Sequence, residues 1–152
     1  MNYKNIAIIP HHGKTTAIIL AGLCKHLGID YFLINDFDLP KEILEKIKFS
    51  SIEELKESQF YKEEIESTTI LSLVSGKPYN NATKRSMVTN NYNLIKIAGE
   101  KNKIHFNIPK LEVLIGYSNN DKNSIGIWKV INKKDFNDEM LFSEDLIKFL
   151  EL

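Results

Sequence analysis

The sequence predicts an α/β fold: a small parallel sheet with helices, Rossmann-like, and a helix-rich C-terminal half. Three observations point there. Residues 6–9 and 31–34 are short continuous apolar runs, as expected of strands buried on both faces. The stretch between them carries one helical pattern and no room for a hairpin, so the two strands are expected to lie parallel, joined by a right-handed crossover. Beyond Pro40 helical patterns outnumber strand-like ones. At 152 residues, the chain is expected to form a single domain, 1–152, with a core of its own.

The first strand, residues 6–9, ends at Pro10, and His11-His12-Gly13 forms the turn. Thr15 or Thr16 is placed to cap the following helix. That helix carries Ile18, Ile19, Leu20, Leu23, Cys24 and Leu27, a wide apolar face suited to a sheet. Gly28 stops it. The second strand, 31–34, leads into Asp36 and Asp38. Pro40 opens a helical zone. Ser51 and Glu54 make a capping box for a helix that runs to about residue 66. Residues 70–74 are apolar but too few for periodicity to choose helix or strand. Gly76-Lys77-Pro78 breaks the chain, and 80–98 reads as a helix despite its asparagines, with Gly99 ending it. A strand at 103–107 follows, then a short helix from Pro109 that holds Leu111 and Glu112, and a helix at 124–131. Ser143 caps a last helix, with Phe142 stapled onto Ile147.

Lys plus Arg and Asp plus Glu both number 20, so the net charge is zero and the chain lacks the strongly basic signature of a DNA-coating protein. The one cysteine, Cys24, permits no internal disulfide, which suits a reducing cytoplasm, and it sits in an apolar helical pattern as a small core residue. No apolar run reaches transmembrane length and no signal peptide is evident, so a cytoplasmic location without a membrane partner is expected.

The sharpest chemical signal is Asp36-Phe37-Asp38. In an extended chain side chains alternate, so two acids two residues apart point to one side at the carboxyl edge of the sheet. Open α/β sheets place their ligands at that edge, and paired carboxylates repel unless a cation neutralises them. The plainer reading is a strand end followed by a helix cap. The turn HHGKTT invites comparison with a phosphate-binding P-loop, but the first glycine of that motif would fall at Ile8. Lys14, at a helix N-terminus, can still meet a single anionic group. His11 and His12 are adjacent and diverge on an extended chain, which fits a polar turn better than a zinc site. Residues 77–110 hold six Lys and one Arg against one Glu, a net of +6. With Tyr79 and Tyr92 interleaved, this stretch, including Lys84 and Arg85, serves equally as an exposed helix face or as a surface that tracks a phosphate backbone. Residues 41–66 carry a net of −3 and read as a solvated face.

The run IIPHHGKTTAIILAGLCKHLGIDYFLINDFD resembles the second half of a TOPRIM domain, in the form found in nucleases of the OLD family (overcoming lysogenization defect, including Gabija-type defence nucleases). There too an apolar strand leads to a Gly-Lys turn, a helix with an LGI end, and a strand closing on D-x-D. IHFNIPKLEVLIGY resembles that family's segment with a Leu-Glu pair, and Lys122 lies near the place of a functional lysine. The resemblance implies a TOPRIM-like fold and metal-dependent cleavage of DNA. Asp36 and Asp38 would be ligands of Mg²⁺ or Mn²⁺, Glu112 a further carboxylate beside the metals, and Lys122 a cation facing the scissile phosphate. One departure stands out. TOPRIM domains open with a strand ending in glutamate, and this chain has no acidic residue before Asp30. The family also carries an upstream ATPase module that is not seen here.

The expected function is therefore a Mg-dependent phosphodiester cleavage domain of OLD/TOPRIM type, a DNA endonuclease incomplete on its own. The partners implied are DNA and an ATPase or TOPRIM-completing subunit, with homo-oligomerisation left open. The alternative is a non-catalytic TOPRIM-like binding or assembly module. A third reading is a degenerate nucleotide-binding protein keyed on Lys14.

Overall fold

The computed structural model describes residues 6–72, 75–99, 103–117, 127–129, 132 and 144–151. In order these form α1 (Lys14–Leu27), β1 (Leu33–Asp36), α2 (Lys41–Lys46), α3 (Ile52–Glu57), a π-helix (Tyr61–Ser67), α4 (Asn81–Ala98), β2 (Ile104–Asn107), α5 (Leu111–Leu114) and α6 (Glu144–Glu151). The chain is α/β with a small parallel sheet: β1 and β2 pair in register from Leu33 opposite Ile104 to Asp36 opposite Asn107. Among the described residues no helix is long and apolar enough to cross a membrane. The expected caps of the last helix, Phe142 and Ser143, and most of the helix expected at 124–131 lie outside the described residues.

The parallel pair is not the one expected. Residues 6–9 form no strand, and Ile8 is 92% exposed. An apolar run becomes a strand only where another strand completes its hydrogen bonds. No strand among the described residues flanks it. The carbonyl of Ile34 meets the ring of His11 instead, with Nε2 at 3.4 Å. β1 itself starts two residues later than expected and takes in Asp36.

Helix α1 ends as expected. Gly28 adopts φ +67, and the amides of Gly28 and Ile29 return to Lys25 and Cys24. Its packing face differs, however. Ala17 and Ala21 are buried with Leu33, Leu94, Ala98 and Ile104, while Ile19, Leu23 and Leu27 are exposed. Small side chains let α1 approach α4 closely, and that contact fixes the rotation of the helix. A second cluster centres on Phe37, Leu39, Ile43, Leu55, Ile65 and Val88, and Phe106 packs against both clusters.

Ser51 caps α3 by accepting from the Glu54 amide at 3.1 Å, but the helix does not run on to residue 66. Ser58 breaks it: its hydroxyl donates to Leu55 O at 2.6 Å and accepts from Tyr61 N at 3.2 Å. One serine thus closes α3 and starts the next turn. Asn80 caps α4 through Thr83 N at 2.7 Å, and Gly99 ends it.

Candidate functional site

The carboxyl end of β1 is where the distant parts of the chain meet. The ladder continues one step past β1, from Phe37 N to Asn107 O at 3.0 Å. Asp38 then turns the chain with φ +64, a left-handed conformation that aspartate tolerates better than most residues. Its amide donates to Pro109 O at 2.6 Å. The turn leaves the Phe37 carbonyl without a ladder partner inside the fold, and a buried carbonyl must find a donor. It finds two: Asn91 Nδ2 at 2.7 Å and Lys14 Nζ at 3.2 Å.

That turn separates the two acids. The period-two expectation that Asp36 and Asp38 share one side holds only while the backbone stays extended, and it stops at Phe37. Asp36 Oδ1 accepts from Asn107 Nδ2 at 3.1 Å and from Leu111 N at 2.9 Å. It therefore supplies the first turn of α5 with the acceptor that Lys110 does not. Asp38 Oδ2 instead takes the ammonium of Lys14 at 2.8 Å, with the lysine side chain 14% and the aspartate 33% exposed. The pair thus serves two different neighbours. Glu112 follows Leu111 in the first turn of α5, half-buried and one residue from the amide held by Asp36.

Two clefts open here, and Asp38 lines both. One, of about 970 Å³, is mainly apolar in its walls, with Leu39, Ile43, Ile108, Pro109 and His105. The other, of about 590 Å³, is mixed in character, with Lys14, Asn80, Thr83 and Ser86 beside Ala82 and Met87. The first turns of α1 and α4 border this second cleft, and neither contains an acidic residue.

Three basic residues of the stretch 77–110 are engaged within the fold. Lys84 is only 2% exposed, and its ammonium donates to Thr68 O at 2.5 Å, so it tethers α4 to the chain after the π-helix and is not presented to a phosphate. Arg85 is exposed and pairs with Glu66 at 2.8 Å. Lys103 pairs with Asp30 at 2.9 Å. Lys122 lies outside the described residues.

The sequence reading missed Asn91 and Asn107, which secure the acidic turn from α4 and β2. Asn91 is fully buried in the middle of an 18-residue helix. Asparagine is a poor helix former, so its place there implies a tertiary task, and that was the available signal.

A divalent cation of the Mg²⁺ type needs several oxygen ligands free of other cations. Asp36 is engaged with two donors and Asp38 with an ammonium. Among the described residues no three His, Cys, Asp or Glu side chains gather closely enough to hold a metal. The residues as arranged therefore do not compose a magnesium site by themselves. No family model matches the chain, and neither a curated protein nor a solved structure matches it.

Proposed function

We propose that this chain is a TOPRIM-like module of the OLD type that engages a DNA phosphodiester with Mg²⁺ or Mn²⁺ and is incomplete as a nuclease on its own. The observation that carries this reading is the bond from Leu111 N to Asp36 Oδ1 at 2.9 Å, across 75 positions of sequence. It brings the helix bearing Glu112 to the acidic end of β1, the edge at which α/β sheets act on ligands. Incompleteness has its own support. Ile8, Ile9, Ile19, Leu23, Leu27 and Ile34 are all at least 48% exposed, on α1, on the segment before it and on β1. Apolar side chains left in water in such number suit a surface that another subunit covers.

The test is calorimetric titration of Mn²⁺ in the presence of a short DNA duplex, with the duplex alone as blank, beside a supercoiled-plasmid nicking assay. The isolated chain is expected to nick little or not at all, and to bind Mn²⁺ in a way that Asp36→Ala plus Asp38→Ala removes. Equal binding by both forms overturns the reading.

A second reading, a non-catalytic binding or assembly module, is favoured by the cap role of Asp36 and the ion pair of Asp38 with Lys14. It expects no Mn²⁺ binding with or without DNA, and lower stability for the doubly substituted chain.

A further inference from the structure

The larger, mainly apolar cleft meets two extended segments along their edges. Residues 68–71 line it in succession, and so do His105 and Phe106 of β2. Successive side chains of an extended chain leave opposite faces, so a cavity that touches both lies beside the backbone edge and not over one face. Each segment has its other edge taken. Where Leu71 bridges Pro78, Tyr79 N donates to Ile70 O and Ser72 N to Lys77 O, both at 2.9 Å. Thr69 and Leu71 therefore turn their own amides and carbonyls outward. In β2, Asn107 O accepts from Phe37 N at 3.0 Å, so Phe106 turns its amide and carbonyl away from β1. These outward groups have no hydrogen-bond partner among the described residues.

An open strand edge is ordinarily guarded by charge, proline or a covering element. Here the lining is apolar, with Leu71 56% exposed beside Ile43, Ile108 and Leu114. The charges around it cancel: Lys46 meets Glu64 at 2.8 Å, Lys14 meets Asp38, and Lys41 offsets its neighbour Glu42. A charged occupant would lose hydration there with no net attraction in return.

We propose that this cleft takes an extended, uncharged segment of a partner protein as an added strand, paired with the outward edge at Thr69 and Leu71. The edge supplies backbone hydrogen bonds, and the apolar lining receives alternate side chains. A compact apolar molecule would fill the same space and leave the outward amides and carbonyls unanswered. The proposal goes beyond the metal-dependent reading and does not rest on it.

The experiment is calorimetry of the whole chain with the peptide acetyl-Val-Thr-Val-Thr-Val-amide, and with the same peptide N-methylated at every residue, which keeps the side chains and cannot donate. N-methylation is expected to weaken binding by at least roughly tenfold, the worth of one to two hydrogen bonds. Leu71→Pro removes one outward amide and leaves both bonds of the bridge in place. It is expected to bind the unmethylated peptide roughly fivefold more weakly than Leu71→Ala, which loses the side chain alone. Thermal melting verifies folding, and the two peptides compared on the wild type need no substitution. Absence of binding at millimolar peptide overturns the proposal. Equal binding of the two peptides also overturns it and makes the cleft a pocket for compact apolar ligands. If the chain alone dimerises in sedimentation and Leu71→Pro abolishes the dimer, the occupant is a second copy and the partner strand falls.

Discussion

Asp36 and Asp38 differ by two positions and by everything around them. Asp36 stays in the ladder and holds the N-terminus of α5, and Asp38 leaves it with φ +64 and meets Lys14. The two roles predict different responses to substitution. Asp36→Asn keeps a side-chain oxygen that can accept from Leu111 N, so its stability in urea denaturation is expected to stay within a few tenths of a kcal/mol of wild type. Asp36→Ala removes that oxygen and is expected to lose about 1 kcal/mol. Equal losses for the two variants would show that the oxygen is not acting as a cap. The spacing D-x-D and the apolar run before it made this place legible in the sequence. The divergence of the acids was not legible, because it depends on one backbone torsion at Asp38 that no side-chain pattern encodes. Lys84 shows a similar limit. A lysine in a basic stretch reads as a surface charge, and only the approach of α4 to Thr68 makes it an interior donor.

Helix existence was readable and helix extent was not. Ser51, Gly28 and Gly99 act at the ends where sequence placed them, whereas neither Thr15 nor Thr16 caps α1, which starts after Gly13 with no side-chain cap, and Asn80 caps α4 without having been expected to. Ser58 stops α3 early through two hydrogen bonds that a hydrophobic pattern does not register. The strand at 6–9 failed for a non-local reason, the lack of a neighbour among the described residues. This predicts that Ile8→Lys, at a position 92% exposed, changes stability by less than about 0.5 kcal/mol. Leu94→Ala, at a position 0% exposed, is expected to cost about 2–5 kcal/mol. Denaturation curves compare them directly. A large loss for Ile8→Lys would mean that the segment is covered in solution.

Across the molecule, two clusters of buried side chains meet at Phe106, and both draw on one face of the sheet, Leu33 and Ile104 in one and Phe37 in the other. The α/β class with parallel pairing was legible from apolar runs separated by helical patterns. Which strands pair was not, because the partner of β1 lies beyond four intervening helical elements. The packed state also sets an alkaline limit. Burial, the largest influence on each, raises the pKa of Tyr31 and Tyr61 above the ordinary 10.0. For Tyr31 the Lys103 ammonium works against this, and for Tyr61 the hydrogen bond with Thr89 does. The unfolded chain then loses these protons first. The stability they contribute is full below pH 10 and disappears as pH rises through the higher folded values. Melting temperature is expected to fall above about pH 10, and to fall less steeply when both are replaced by Phe. Unchanged steepness would assign the fall to other groups.

The bond from Asn107 to Asp36 spans 71 positions. A growing chain therefore adds 71 further residues after Asp36 to reach the side chain that holds it. A chain cut short before β2 keeps the Lys14 partner of Asp38 and leaves Asp36 without the two donors that hold it.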